Sequence, residues 1–291
     1  MGPEYFEILA PAQWLAPMVF NSPHSGSLLP DAFLVQSKLS AATLRQSEDC
    51  FVDELFRGCL THGAPMLRAL VSRSFIDLNR EPYELDQHMF RENLPSYMNS
   101  GSPRVASGLG TIPKLVAEGE DIYRGKIDLA EAMQRITNIY RPYHKTLTAL
   151  IDEVYNATQF CLLIDCHSMP SSAVRSAKTV HEPQIDIVLG DRFGSACSRE
   201  LSSEIEKLFL YEGFHIVRNR PYAGGFITDT HGSPHKNRHA IQIELNRALY
   251  MDEVRMEKTP AYAQVEAAIG RVLKALVSFL PVAEQPRLAA E

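Results

Sequence analysis

The sequence predicts an α/β fold with a mixed, mostly parallel central sheet flanked by helices on both faces. Three observations carry this. Short apolar runs of strand character alternate with helical patterns along the chain. The run Cys161-Leu162-Leu163-Ile164 is apolar without alternation, as in a strand covered on both faces. Polar residues then follow such runs at their C-terminal ends, where open α/β sheets bind ligands.

The expected strands, in order, are Met18 to Asn21, Pro65 to Leu70, Phe75 to Leu78, Cys161 to Asp165, Ile185 to Leu189, His215 to Val217 and Ala240 to Leu245. Ser47 supplies an N-cap for a helix whose apolar face is Phe51, Val52, Leu55 and Phe56. A long helix starts near Asp128 and runs towards Tyr155, with Pro142 kinking or breaking it. Arg192 to Tyr211 reads as another, ended by Gly213, and the last runs from about Pro260 to Phe279. The stretch from Glu81 to Gly125 is rich in Pro, Gly, Ser and Asn and lacks periodicity. Irregular segments of that length are usually functional or disordered, and a functional excursion is expected here.

No domain boundary is visible, so residues 1–291 are read as a single domain. With 45% hydrophobic and 22% charged residues the composition is that of an ordinary globular protein. A net charge of -6, with no basic run interleaved with aromatics, disfavours a nucleic-acid partner. Five cysteines, an odd number without Cys-x-x-Cys, fit reduced thiols. No stretch reaches the roughly 18 apolar residues of a spanning helix, and no secretory leader is evident. A soluble, cytoplasmic protein without a membrane partner is expected; the oligomeric state is open.

Histidines close two of the expected strands. His167 lies in Asp165-Cys166-His167 and His24 in Ser22-Pro23-His24-Ser25-Gly26. Imidazole is a common zinc ligand, and a nearby carboxylate orients such a ligand. Two strand-end histidines therefore point to a metal site across the sheet, although His24 alone suits a turn better. A catalytic zinc takes three protein ligands, and two histidines plus an acid from Glu48-Asp49 meet that count; helix N-terminal charge is the alternative for those acids. Of the other histidines, His144 and His239 are the strongest candidates, with surface or hydrogen-bonding roles favoured for both, and His181 is among the weaker ones. Asn79-Arg80 suits a carboxylate ligand, because a guanidinium forks onto two oxygens. An Arg80 salt bridge to Asp77 or Glu84 is the competing reading. Arg73 points into the same space or into solvent. Glu244 shares a strand face with Gln242 and Asn246 and reads equally as a general base or a salt-bridged acid. Tyr222 sits in a turn-rich loop with Gly224-Gly225, which is either a mobile lid or a tight connection. Gly-x-Ser-x-Gly, phosphate-loop, Gly-x-Gly-x-x-Gly and His-Glu-x-x-His signatures are absent, which weakens serine hydrolase, nucleotidase, dehydrogenase and helix-borne zincin readings.

These segments, taken in order, resemble the N-formylglutamate amidohydrolase family. The matching pieces are Pro23-His24-Ser25-Gly26, Ser47-Glu48-Asp49 through Leu55, Asp77-Leu78-Asn79-Arg80, Gly108 to Pro113, Tyr140-Arg141-Pro142-Tyr143-His144, Asp165 to Pro170, Pro221 to Gly225, and Gln242 to Arg247. The resemblance implies a fold similar to zinc carboxypeptidases and aspartoacylase, with one zinc per chain. It implies His24, His167 and an acid, Asp49 in preference to Glu48, as metal ligands. The carboxypeptidase-like pattern places its acid three residues after the first histidine, where this chain has Ser27. The resemblance further implies catalytic Glu244 (general base) and Arg73 (oxyanion or second carboxylate donor), with Asn79 and Arg80 binding substrate; the loop reading adds Tyr222 as a substrate-binding residue. The implied reaction is hydrolysis of N-formyl-L-glutamate to formate and L-glutamate, in histidine degradation, with a zinc-activated water attacking the formyl carbon. The alternatives are a zinc deacylase of another N-acyl amino acid or small peptide, and a non-catalytic carboxylate-binding protein.

Overall fold

The computed structural model describes residues 4–116, 119–175 and 184–281; His181 lies outside them. A seven-stranded sheet organises the fold. In chain order its strands are β1 (Phe6–Leu9), β2 (Met18–Ser22), β3 (Met66–Ala69), β4 (Cys161–Met169), β5 (Ile187–Gly190), β6 (Ile216–Arg218) and β7 (Arg238–Asn246). Their spatial order is β1-β3-β2-β4-β7-β5-β6. The pairs β3–β2, β2–β4, β4–β7 and β5–β6 are parallel, whereas β1–β3 and β5–β7 are antiparallel. The sheet is thus mixed and mostly parallel, with helices on both faces. Strand β4 is buried along its whole length, as its unbroken apolar run requires.

The three long helices are α1 (Arg141–Thr158), α2 (Arg199–Tyr211) and α3 (Tyr262–Phe279). One sheet face packs Phe20, Ile164 and Ile243 against Ile205 of α2 and Ile269 of α3. The other packs Val19, Leu163 and Ala240 against Leu147 and Ile151 of α1 and against the excursion, through Phe90 and Ile112. Arg135 anchors that excursion from within the core. It donates to the Phe75 carbonyl at 3.0 Å and the Tyr123 hydroxyl at 2.8 Å, with its guanidinium 3.9 Å from the Phe75 ring centroid.

Four expectations change. Phe75 to Leu78 is a turn, not a strand. Phe75, Ile76 and Leu78 are buried, but the Phe75 and Ile76 amides donate locally to Ser72 and the Asp77 amide donates across to Thr111. The helix expected from Ser47 starts only at Val52, because Phe51 takes a left-handed conformation with φ 65°. Ser47 instead donates its hydroxyl to the Leu44 carbonyl. Helical structure runs from Leu129 through Pro142 to Thr158 without a break, because a widened π turn over Ile136–Tyr140 accommodates the missing proline N–H. The Arg192 helix begins properly at Arg199, capped by Ser198. Strand β1 had no counterpart in the sequence pattern; it is a short, half-exposed edge. Among the described residues no helix is long and apolar enough to cross a membrane.

His144, on α1, donates from Nε2 to the Leu78 carbonyl at 3.0 Å and stacks on Tyr140 with ring centroids 4.1 Å apart. Burial pushes its pKa down to about 4. Its folded pKa lies below the unfolded value, so the unfolded chain takes up the proton first. Stability is therefore full above about pH 6.5 and is lost as pH falls towards 4. Denaturant titrations are expected to show His144→Gln losing less stability than the parent over that window, by about 3 kcal/mol. Equal losses in the two proteins would contradict the assignment.

Candidate active site

Three parallel strands end side by side and place a polar row on one face. Asn21 of β2 pairs in register with Asp165 of β4, which pairs with Gln242 of β7. Two residues further on, His167 pairs with Glu244. Alternation along β4 and β7 then puts Asp165, His167, Gln242 and Glu244 on the same side. The loop after β2 adds His24, and Asp49 comes from the chain just before Phe51. The Asp49 amide donates to the His24 carbonyl at 2.9 Å, tying the two loops together. Gly26 lets the first loop pass the β3 end, since a Cβ there would lie 2.4 Å from the Leu70 carbonyl carbon.

His24, Asp49 and His167 converge, with one potential ligand atom from each lying within 4.8 Å of the others. Both Nδ1 atoms face Asp49 Oδ2, at 3.4 Å from His24 and 3.1 Å from His167. Both Nε2 atoms turn away to a second carboxylate: His24 to Asp77 at 2.7 Å, His167 to Asp165 at 2.9 Å. This is the carboxylate–histidine arrangement that fixes tautomer and ring orientation in metal sites. Asp49 Oδ1 is occupied by Ser168 Oγ at 3.0 Å and Arg247 at 3.1 Å, which leaves Oδ2 for the centre. Among the described residues the buried His24 Nδ1 has no hydrogen-bond partner. Two imidazole nitrogens and one carboxylate oxygen suit a divalent cation.

The electrostatics agree. Burial pushes the Asp49 carboxyl up, but the His167 and His24 imidazoles beside it outweigh this and hold it well below the usual carboxylate range. Burial likewise opposes ionisation of Asp77, yet Arg80, His24 and Arg73 keep it well below that range. His167 is driven well above the ordinary imidazole value: burial opposes the charge, and Asp165 and Asp49 overcome it. A cation between His167 and Asp49 compensates the same carboxylates that otherwise retain this proton.

Glu48 points elsewhere. It is 1% exposed and pairs with Arg45 at 3.0 Å, on the wall of a separate cleft shared with Cys50 and Arg68. Burial pushes its pKa up to about 7.

The cluster opens into a cleft of about 650 Å³ whose walls include Arg73, Arg80, Arg104, Tyr222 and Glu244. Arg73 donates to Asp77 at 2.8 Å. Arg80 binds the Leu109 and Asn79 carbonyls and keeps NH2 3.8 Å from Asp77. Asn79 also lines the cleft, and its side chain is engaged within the site. Oδ1 accepts from the Ile227 amide at 2.9 Å, and Nδ2 donates to Asp165 at 3.3 Å. Glu244 is 6% exposed, and burial raises its pKa to about 7, with the Asp49 charge adding to the rise and His167 and Arg73 opposing it.

Several residues of the network take roles that the sequence alone did not assign. Asp77 holds His24. Ser168 and Arg247 hold Asp49. Tyr143 donates to Asn21 at 2.6 Å, and Asn21 donates to Asp165 at 2.7 Å. Period-two alternation in β7 marks Gln242 as a neighbour of Glu244 on the site face, whereas alternation in β4 puts Ser168 on the face opposite His167 and nothing local marks Asn21.

The family model of N-formylglutamate amidohydrolase matches residues 16–251. An N-formylglutamate amidohydrolase from Ralstonia eutropha, whose crystal structure is solved, aligns with a TM-score of 0.87 at 30% identity, covering 94% of this chain and 98% of that one. N-formylglutamate deformylases of Pseudomonas aeruginosa and Pseudomonas putida are 27% and 28% identical, each over 85% of this chain and 86% of theirs. An Agrobacterium tumefaciens protein at 17% identity shares the fold, with a TM-score of 0.65. Fold and relatives together define a hydrolase of amide bonds, built on a mixed α/β sheet with a candidate metal centre at its strand ends. The chain belongs to the N-formylglutamate amidohydrolase family.

Carboxylates behind metal-site histidines typically contribute 10–100-fold to affinity. Asp77→Asn and Asp165→Asn are therefore expected to weaken divalent-metal binding by roughly that factor, measured by competition with a chelating dye. Asp49→Asn should abolish tight binding and Glu48→Gln should leave it intact; the reverse pattern would reassign the acid.

Proposed function

We propose that this protein hydrolyses N-formyl-L-glutamate to formate and L-glutamate, using zinc held by His24, Asp49 and His167. The observation that carries the reading is the pair of histidines aimed at Asp49 Oδ2 beside Glu244, in the arginine-walled cleft of a member of this family. Zinc bound there would supply Lewis acidity to a water and to the formyl oxygen. The remaining steps belong to the chain's own side chains.

Glu244 acts as general base. It takes a proton from the attacking water as the C–O bond forms, then returns it to the amine nitrogen as the formyl C–N bond breaks. Its raised pKa suits both transfers near neutral pH. Arg73, fixed by Asp77, faces the oxygen that gains negative charge. Arg80, with two donors spent on backbone carbonyls, directs its remaining nitrogen to a substrate carboxylate. Asn79 serves by holding Asp165 and Ile227 in place rather than by touching substrate. Tyr222 closes one side of the cleft. We extend the same reading to a single catalytic domain over residues 1–291.

Purified protein loaded with zinc should release formate from N-formyl-L-glutamate much faster than acetate from N-acetyl-L-aspartate, and a chelator should stop it. Absence of formate release from zinc-replete protein would reject the substrate. Glu244→Gln should keep its zinc and lose about two to four orders of magnitude in kcat; substantial turnover would remove Glu244 from the base role. Because the base must be ionised, kcat/KM should fall on the acid side of a limb no higher than about 7, since a bound cation lowers a nearby carboxyl. A rate independent of pH through that region would contradict the assignment.

A further inference from the structure

Gln242 lies between Glu244 and the loop that carries Tyr222. It is 5% exposed and on the same face of β7 as Glu244. Its Oε1 accepts from the Gly225 amide at 2.8 Å, and its Nε2 donates to Glu244 Oε1 at 2.7 Å. The amide orientation is therefore fixed: only oxygen can accept from Gly225, so only nitrogen faces Glu244. The loop meets the site closely at this point. A Cβ at Gly225 would lie 2.5 Å from both polar atoms of the Asn79 side chain, and one at Gly190 would lie 2.7 Å from the Gly224 amide nitrogen. The backbone of the loop is thus pressed onto β5, Asn79 and Gln242 together.

We propose that Gln242 is a positioning residue that locks the Tyr222 loop and Glu244 into one register, so that the loop's seating sets the aim of the base. This rests on the reading of Glu244 as the base. Without Gln242 the Gly225 amide loses its acceptor and Glu244 Oε1 its neutral donor. Glu244 is then free to rotate towards Arg73, the cation that already lowers its pKa. The other ionisable groups near Glu244 are His167, Asp49 and Tyr222. Among the described residues none of the three donates to the oxygen that Gln242 holds, so none takes over its role.

Two variants separate the two bonds. Assayed on the alkaline side, where both carboxyls are ionised and no shared proton can replace the lost N–H, Gln242→Glu keeps an acceptor for Gly225 and removes the donor to Glu244; Gln242→Met removes both. Misaiming a reacting group by ~1 Å costs on the order of a hundredfold. Gln242→Glu should therefore lose about a hundredfold in kcat on N-formyl-L-glutamate with KM unchanged. Gln242→Met should lose as much in kcat, raise KM as well, and speed amide hydrogen exchange at Gly225. Wild-type kcat in Gln242→Glu would overturn the proposal, as would a protected Gly225 amide in folded Gln242→Met. Equal shifts of KM in the two variants would also overturn it. A wild-type protein inactive on N-formyl-L-glutamate would reject the substrate reading alone, and Gly225 exchange would still decide whether the tether exists.

Discussion

Three carboxylates buried at the C-terminal ends of the central strands constrain everything around them. Asp49, Asp77 and Asp165 are each 2% exposed or less. An isolated carboxylate in such surroundings is prohibitively unfavourable, so each must be met by hydrogen bonds and opposite charge. Asp77 receives His24, Arg73 and the Asn79 amide. Asp165 receives His167, Asn21 and Asn79. Asp49 receives Ser168 and Arg247 on one oxygen and turns the other to the two imidazoles. The histidines are shared between carboxylates on both sides, which suits a centre where a cation completes the balance.

Satisfying those charges dictates the connections. The turn at Phe75 to Arg80 leaves the sheet because Asp77 and Asn79 must reach His24 and Asp165. Phe51 takes its left-handed conformation directly after Asp49, as functional segments often do when the surroundings hold the strain. Helix α1 contributes from the far side: Tyr143 reaches Asn21, and His144 holds the Leu78 carbonyl. The Tyr140-Arg141-Pro142-Tyr143-His144 motif thus braces the site without entering it. Polar groups fixed this way need little reorganisation when charge develops during a reaction.

Much of this was legible in the sequence, and the rest for identifiable reasons was not. The apolar runs of β2, β4 and β7 declared the buried strands, and their polar ends declared the site edge. Phe75-Ile76-Asp77-Leu78 imitates a strand because alternation reports burial, which a well-packed turn also provides. Ser47 imitates an N-cap because short polar side chains close the end of one helix as readily as they open another. The preference for Asp49 over Glu48 came from the resemblance, and three dimensions supply its reason: adjacent residues point apart, one to the histidines and one to Arg45. Asn79 reads as a ligand-facing amide in one dimension, yet the contacts that occupy it come from Asp165 and Ile227, distant in the chain.

X-ray absorption at the zinc edge of reconstituted protein tests the central claim most directly. The account predicts a first shell of nitrogen and oxygen at about 2.0–2.2 Å, with multiple-scattering features from two imidazoles. A sulfur scatterer near about 2.3 Å, drawn from Cys50 or Cys166, or a shell without imidazole, would contradict it.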